Sequence, residues 1–122
     1  MTVESLKFID EQLSQAGIGY EFGQWSSDEI PDPYWVGEYT ESEPLTEDGL
    51  HESTVILTGT GTTWLGLEND KAKIEKTFGK TAILPGGNGL AVFYSGCFVI
   101  PTGDAVMKRI QINLSVKEWR VN

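Results

Sequence analysis

The sequence is poor in the residues on which catalysis and covalent cross-linking depend. Its 122 residues include one cysteine, Cys97, and one histidine, His51. A lone cysteine excludes an internal disulfide framework and is typical of a reducing compartment. Nucleophilic catalysis needs a base beside the nucleophile, and a structural zinc site needs about four Cys or His ligands. We expect Cys97 to be a small core residue and His51 to lie in an acidic loop, so we predict no catalytic residues, no cofactor and no metal site.

Long apolar runs are also missing. No stretch approaches the roughly 18 apolar residues of a transmembrane helix. The first residues, MTVESLKFIDEQ, lack the basic and apolar regions of a signal peptide. A chain of 122 residues is large enough to fold as one domain. The sequence therefore predicts a single domain over residues 1–122 and no membrane partner.

Basic residues are absent from more than half of the chain. Residues 8–70 contain fourteen Asp and Glu but no Lys or Arg, whereas residues 71–122 contain eight basic and three acidic residues. The net charge of −9 argues against sequence-independent nucleic-acid binding, because phosphates are repelled. The asymmetry has two interpretations. Either the two parts mix on the folded surface, or an acidic and a less acidic face dock head-to-tail on copies of the chain.

Hydrophobic periodicity predicts an α+β fold. We expect an antiparallel sheet of four to five strands, with a mixed sheet as the alternative, and two helices packed on one face, in the order α-β-β-β-α-β-β. The predicted segments are a helix over 2–16, strands over 18–22, 34–40, 53–59, 90–100 and 105–121, and a second helix over 68–78. Thr2 is the expected cap of the first helix, Asn69 or Asp70 that of the second, and Gly96 marks a bulge.

A glycine-rich stretch, TGTGTTWLG over residues 58–66, stands between a predicted strand and a predicted helix, as phosphate-binding loops do. It lacks the Gly-Lys-Ser/Thr of a P-loop, and its glycines do not fit GxGxxG. We interpret it as a strand that leaves the edge of the sheet.

Aromatic and acidic residues are the main candidates for function. The prolines of PDPYWVGEYTESEP exclude a helix there, and Trp and Tyr are enriched in the energetic centres of protein interfaces. We predict a mobile acidic loop over residues 41–52 and an interface that joins aromatic and acidic residues to a basic patch. The predicted interface residues are Tyr34, Trp35, Tyr39, Glu41, Glu43, Glu47, Asp48, Lys108 and Arg109.

The chain resembles the small neck proteins of long-tailed phages and prophages, in particular the tail-terminator class. The resemblance rests on the N-terminal helix, the segment PYWVGEYTESEP, the strand STVILTGTG and the helix ENDKAKIEKTF. It rests most on the final stretch, FVIPTGDAVMKRIQINLSVKEWRVN.

That resemblance implies a non-enzymatic subunit that forms a ring, usually of six copies, at the head-proximal end of the tail tube. The ring stops tube polymerisation, contacts the tail tube protein and the head-completion protein, and lets DNA pass through. It implies a location in the host cytoplasm during assembly and then in the virion tail or neck.

The composition also fits a second class of protein. Small, acidic, Trp-rich bacterial proteins include immunity proteins and DNA mimics, which block a basic partner. A ring-forming subunit yields discrete rings, whereas an inhibitor yields a one-to-one complex with a basic enzyme.

Overall fold

The structure is a computed structural model that describes residues 1–41 and 49–121. Its elements, in chain order, are α1 (Val3–Gln15), β1 (Tyr20–Phe22), β2 (Tyr34–Glu41), β3 (Leu50–Gly61), α2 (Trp64–Thr77), β4 (Lys80–Ile83), β5 (Gly89–Ile100) and β6 (Lys108–Trp119). Within these residues, neither helix is both long and apolar enough to cross a membrane.

One sheet contains all the described strands, in the order β1-β2-β3-β6-β5-β4. β1 is parallel to β2, and every other pair of neighbours is antiparallel. Both helices pack on the same face, where Ile9 of α1 and Ile74 of α2 join the inward side chains of the strands in one core. The predicted α+β class is confirmed. The sheet has six strands in the described residues rather than four to five, and the parallel pair makes it mixed.

The additional strand is β4, which the sequence analysis missed. It has only four residues, KTAI, between Gly79 and Pro85, too few for an alternating pattern to be recognised. Gly79 adopts a positive φ of 119°, and its amide donates to the carbonyl of Val92 at 2.8 Å. This turn brings the chain back from α2 to the outer side of β5.

The second helix begins four residues earlier than predicted. Its cap is Thr63, whose hydroxyl accepts from the Gly66 amide at 3.1 Å, so Asn69 and Asp70 lie inside the helix. The glycine-rich stretch does not leave the edge of the sheet: β3 lies between β2 and β6 and stays paired as far as Gly61. The Thr62 amide, just before the helix, donates to the Asp32 carboxylate at 2.9 Å, so this turn already holds an anionic group of the chain itself.

Two aromatic rings in the core lie over glycines of the neighbouring strand. A Cβ added at Gly59 of β3 would lie 2.6 Å from Cη2 of Trp35, and one added at Gly37 of β2 would lie 2.3 Å from the Tyr20 hydroxyl. The glycines therefore leave the space that the rings fill. Burial, with a contribution from the charge of Asp10, raises the pKa of Tyr20 to about 12.

Glu118 is a buried carboxylate that joins three parts of the fold. It is 2% exposed, and it accepts from the Thr2 hydroxyl at 2.7 Å and from the Asn88 side-chain amide at 2.8 Å. Thr2 caps α1, as predicted, and Asn88 precedes β5, so the carboxylate ties both to β6. Burial alone would raise the pKa of Glu118, but its hydrogen bonds with Asn88 and Thr2 outweigh burial and lower the pKa.

The Glu118 contacts make stability depend on pH. Because the folded pKa lies below the ordinary glutamate value of 4.5, the stabilisation is present above that value and is lost as the pH falls through the folded pKa. We expect Glu118→Gln to lower the free energy of unfolding at neutral pH by about 2 kcal/mol, since a charged acceptor is lost. The variant should also lose less stability than the parent between about pH 6 and pH 3.5.

Urea unfolding at several pH values measures both effects. The matched control is Glu52→Gln, because Glu52 is exposed and its carboxylate lies 4.0 Å from the Lys117 ammonium, a surface pair of little energetic weight. Parallel pH profiles for the parent and Glu118→Gln would contradict the assignment.

Candidate interaction surface

The order of the strands separates the charges along the sheet. β1 and β2, at one end, belong to the part of the chain without Lys or Arg, whereas β5 and β4, at the other end, belong to the part with more basic residues. The β1–β2 unit, with its connecting segment, carries the exposed acids Asp28, Glu29, Asp32, Glu38 and Glu41. We call this unit, residues 20–41, the acidic edge.

The opposite end of the sheet is less acidic. β4 begins with the exposed Lys80. α2, which packs over β3, β6 and β5, carries the three lysines Lys71, Lys73 and Lys76 together with the three acids Glu68, Asp70 and Glu75. Lys71 lies 3.7 Å from Glu68 and 3.9 Å from Glu75, and these contacts offset part of the positive charge. The strand order therefore places the acidic edge and Lys80 at opposite ends of the sheet.

Aromatic side chains cluster on the acidic edge because β1 lies beside β2. Phe22 and Tyr39 stack with ring centroids 6.0 Å apart, and 47% and 37% of their surfaces are exposed. Trp25 meets Tyr34 edge-on at 5.6 Å, and its indole N–H donates to the Glu29 carbonyl at 3.1 Å. An exposed aromatic pair within a cluster of acids is a surface that suits an apolar and basic partner.

The predicted interface residues of β2 have different environments. Tyr39 and Glu41 are exposed on the acidic edge, Tyr34 is half-buried, and Glu41 accepts from the ammonium group of Met1. Trp35 requires a correction, because it is fully buried and its indole N–H donates to the Asp70 carboxylate at 2.9 Å. A side chain inside the core has no surface for a partner.

Three of the predicted interface residues, Glu43, Glu47 and Asp48, lie outside the described residues. The predicted mobile loop over 41–52 has the wrong bounds, since Glu41 ends β2 and Leu50–Gly61 forms β3, and the rest of that prediction lies mostly outside the described residues. His51 therefore lies in a strand and is half-buried, rather than in an acidic loop.

The two predicted basic residues begin β6 in the middle of the sheet. Arg109 is half-buried, and its Nε donates to the Thr60 hydroxyl of β3 at 3.1 Å on the face opposite the helices. The Lys108 ammonium lies 6.0 Å from the ring centroid of Trp64 at the start of α2. Arg109 lines one cavity with Tyr34 and Glu38 on the face opposite the helices, so the structure brings one predicted basic residue beside a predicted interface residue of β2. No described contact joins Lys108 or Arg109 to Tyr39 or Glu41.

The outer edge of β5 is a surface that the sequence analysis missed. β4 pairs with residues 89–92 of β5 alone, and no other described strand pairs with residues 93–100 on that side. We call residues 93–100 the free edge. Phe93, Phe98 and Val99 on it are 40%, 49% and 60% exposed. Adjacent apolar residues in FYSGCFVI, which point to both faces of the strand, were the available signal.

The side chains that are most suited to catalysis or metal binding lie far from one another. Cys97 packs against the core from the middle of β5, and burial raises the pKa of its thiol. His51 and Cys97 are level with Glu118 and Ile112 of β6, respectively, so they lie at different heights of the sheet. Among residues 1–41 and 49–121, no group of three or more His, Cys, Asp or Glu side chains is placed to hold a metal ion.

No protein-family model matches the chain. A search of curated proteins finds no similar sequence. The arrangement of the surface is therefore the basis for any functional proposal.

Proposed function

We propose that the protein is a non-enzymatic subunit of a phage or prophage neck, which forms a ring that caps the tail tube and joins it to the head-completion protein. The observation that carries the proposal is the placement of the acidic edge and the free edge at opposite ends of one sheet. A ring needs a heterologous interface, in which one patch of each copy meets a different patch of the next. Two unlike lateral edges on the same molecule meet that requirement.

The charge of the protein is compatible with this role. With a net charge of −9, the assembled subunits would repel the phosphates of DNA that passes through the ring. The partners are then other copies of the chain, the tail tube protein and the head-completion protein, without specific nucleic-acid recognition. Assembly takes place in the host cytoplasm, and the ring ends in the virion tail or neck.

Electron microscopy of the purified protein with polymerised tail tubes tests the proposal. We expect discrete rings, or one ring at the end of each tube, and tubes that stop growing when the protein is added. A one-to-one complex with a basic enzyme, without rings or tube-end binding, would overturn it.

Ring assembly should weaken as salt is added. Attraction between the acidic edge and the lysine beside the free edge, Lys80 of β4, is screened beyond about 3 Å at 1 M salt, compared with about 10 Å at 0.1 M. We expect the assembled fraction, measured by sedimentation velocity at constant protein concentration, to fall between these two conditions. An assembled fraction that rises with salt would indicate an apolar interface without a role for the acidic edge.

A second function is favoured by one observation, the exposed Phe22–Tyr39 pair among the acids of residues 20–41. The same surface fits a small inhibitor that blocks a basic enzyme, such as an immunity protein or a DNA mimic. Such a protein would remain a monomer on its own and would bind its target with a strong salt dependence.

A further inference from the structure

The free edge of β5 leaves strand backbone unpaired over eight residues, 93–100, in the described part of the chain. A row of unpaired N–H and C=O groups is a template for another strand, and natural proteins protect such edges with charges, prolines or bulges. The residues here, FYSGCFVI, include neither a charged residue nor a proline. One device is present, a bulge at Ser95, between the pairs Tyr94–Leu114 and Gly96–Asn113.

The side chains along this edge are also apolar and accessible. Phe93 and Phe98 project on the face opposite the helices, level with Ser115 and Gln111 of β6, and Val99 is exposed on the helix face. A strand that pairs here would therefore bury apolar surface on both sides of the sheet.

The acidic edge of the same molecule is complementary to the free edge. β1 pairs with Trp35–Gly37 of β2 alone. Residues 38–41 of β2 therefore have no described neighbouring strand on that side. The acidic edge presents Phe22 and Tyr39 as apolar surface. In a neighbouring copy, its acids would meet an edge that carries no charge of its own and is flanked by the exposed Lys80 of β4.

The two edges lie at the same height of the sheet. Thr40 pairs with Thr54, Thr54 with Ser115, and Ser115 with Phe93. By the same succession of pairs through β3 and β6, Tyr34 is level with Ile100. Two copies placed side by side at one level would thus bring residues 38–40 of β2 in one copy next to residues 93–96 of the other. β1, which covers Trp35–Gly37, would lie at the level of residues 97–99.

The strand directions also match. β1 and β2 are parallel, and three antiparallel pairings separate β2 from β5, so the two edges run in opposite directions. Copies related by rotation about an axis along the strands would therefore join through an antiparallel pair, the slightly more stable type of pairing.

We propose that the free edge of β5 pairs with the acidic edge of a second copy, so that the sheets of neighbouring copies become continuous. This inference rests on the proposed ring and specifies the contact that closes it. Because the two edges differ, the same contact repeats from copy to copy and closes into a ring when the rotation allows.

Disulfide trapping between copies tests the pairing. In a Cys97→Ala background, Ser95→Cys is combined with Thr40→Cys or with Glu38→Cys, which sample adjacent registers. Under oxidising conditions we expect each concentrated double variant to give a ladder of cross-linked copies on a non-reducing gel. Each single variant should remain a monomer, because a heterologous contact never brings identical positions together. The matched control is Ser95→Cys with Val3→Cys, since Val3 is 81% exposed but lies on α1.

A substitution on the free edge provides a second measurement. Phe98→Glu places a negative charge on the edge, opposite the acids of the neighbouring copy, and is expected to reduce the association constant by at least about tenfold. Val3→Glu, which adds the same charge on α1 and outside both edges, should leave it unchanged. Sedimentation velocity measures association, and urea unfolding verifies that both variants remain folded.

The outcomes separate this inference from the proposed function. Rings at tube ends without cross-linking would overturn the edge pairing and leave the neck function standing. A ladder from the double variants without tube-end binding would support the pairing and overturn the neck function. A dimer from Ser95→Cys alone would show that two β5 edges meet, which contradicts the proposed pairing. If neither a ladder nor rings form, both proposals are overturned.

Discussion

Replacing Trp35 by alanine is expected to lower the free energy of unfolding by at least about 4 kcal/mol, the usual cost of removing a large aromatic side chain from a core. Trp35 is completely buried, and its ring covers Gly59 of the adjacent strand. The substitution also leaves the Asp70 carboxylate, which is 9% exposed, without the indole N–H that it accepts at 2.9 Å. An unpaired buried acceptor adds a further cost of about 1–3 kcal/mol.

Urea unfolding of the variant measures the loss, and two substitutions resolve its causes. Trp35→Phe retains most of the apolar surface but removes the hydrogen bond, so it should cost about 2 kcal/mol. Trp64→Ala is the matched control, because Trp64 is 43% exposed and should cost less than about 1 kcal/mol. Equal losses for Trp35→Ala and Trp64→Ala would contradict the placement of Trp35 in the core.

Trp35 also shows where sequence patterns stop being informative. Alternation predicted β2 and put Trp35, Gly37 and Tyr39 on one side, and the pairing confirms that they share a face. It did not indicate which side meets the helices, because Tyr34 and Val36 make the other side almost as apolar. The packing partners of Trp35 include α2, whose Asp70 accepts its indole N–H, and alternation within one strand does not reveal a partner so distant in sequence.

The burial of Glu118 could have been predicted from the same kind of alternation. Alternation over 105–121 puts Val106, Ile110, Ile112, Leu114 and Val116 on one side, all at even numbers, so position 118 belongs to the core side. Val106 is the exception, because it lies before β6 and is exposed. A charged residue at an inward position is uncommon, and a buried carboxylate needs hydrogen-bond donors. Those donors, on Thr2 and Asn88, come from segments that alternation within one strand does not connect.

The lateral separation of charge could not be derived from composition. The asymmetry between the two parts of the chain is visible in the sequence, but whether they mix depends on strand order. Had β1 been placed beside β5, for example, the acidic and free edges would have been joined within one molecule. The observed order β1-β2-β3-β6-β5-β4 keeps them at opposite ends, and the assembly proposal depends on this arrangement.

The long C-terminal hairpin was predicted well because its signal is local. Strands over 90–100 and 105–121 correspond to β5 and β6, and the bulge expected at Gly96 is observed at the adjacent Ser95. The connection is longer than the predicted four residues, since β6 begins at Lys108 and Val106 is 62% exposed. Thr102 and Asp104 account for the difference, because their side chains hold the backbone of residues 104–107 in a loop.

Gly59→Ala is expected to lower the free energy of unfolding by about 3 kcal/mol, at the upper end of the usual cost of overpacking. The added methyl group would lie 2.6–2.7 Å from three atoms of the Trp35 ring. The ring cannot move towards solvent because it is fully buried, so β2, β3 or α2 must shift. Gly89→Ala is the matched control in another strand, since its Cβ would meet the partly exposed Trp119 at an ordinary 3.5 Å.

A double-mutant cycle tests whether the steric contact with Trp35 is the cause. Phenylalanine is smaller than tryptophan, so Gly59→Ala combined with Trp35→Phe should cost less than the sum of the two single changes, by about 1 kcal/mol or more. Gly89→Ala combined with Trp35→Phe should be additive, because the two sites share no contact. Additivity in both cycles would show that the cost of Gly59→Ala does not come from contact with the Trp35 ring. A smaller combined cost for the Gly59 pair alone would instead establish that this ring is what requires glycine at position 59.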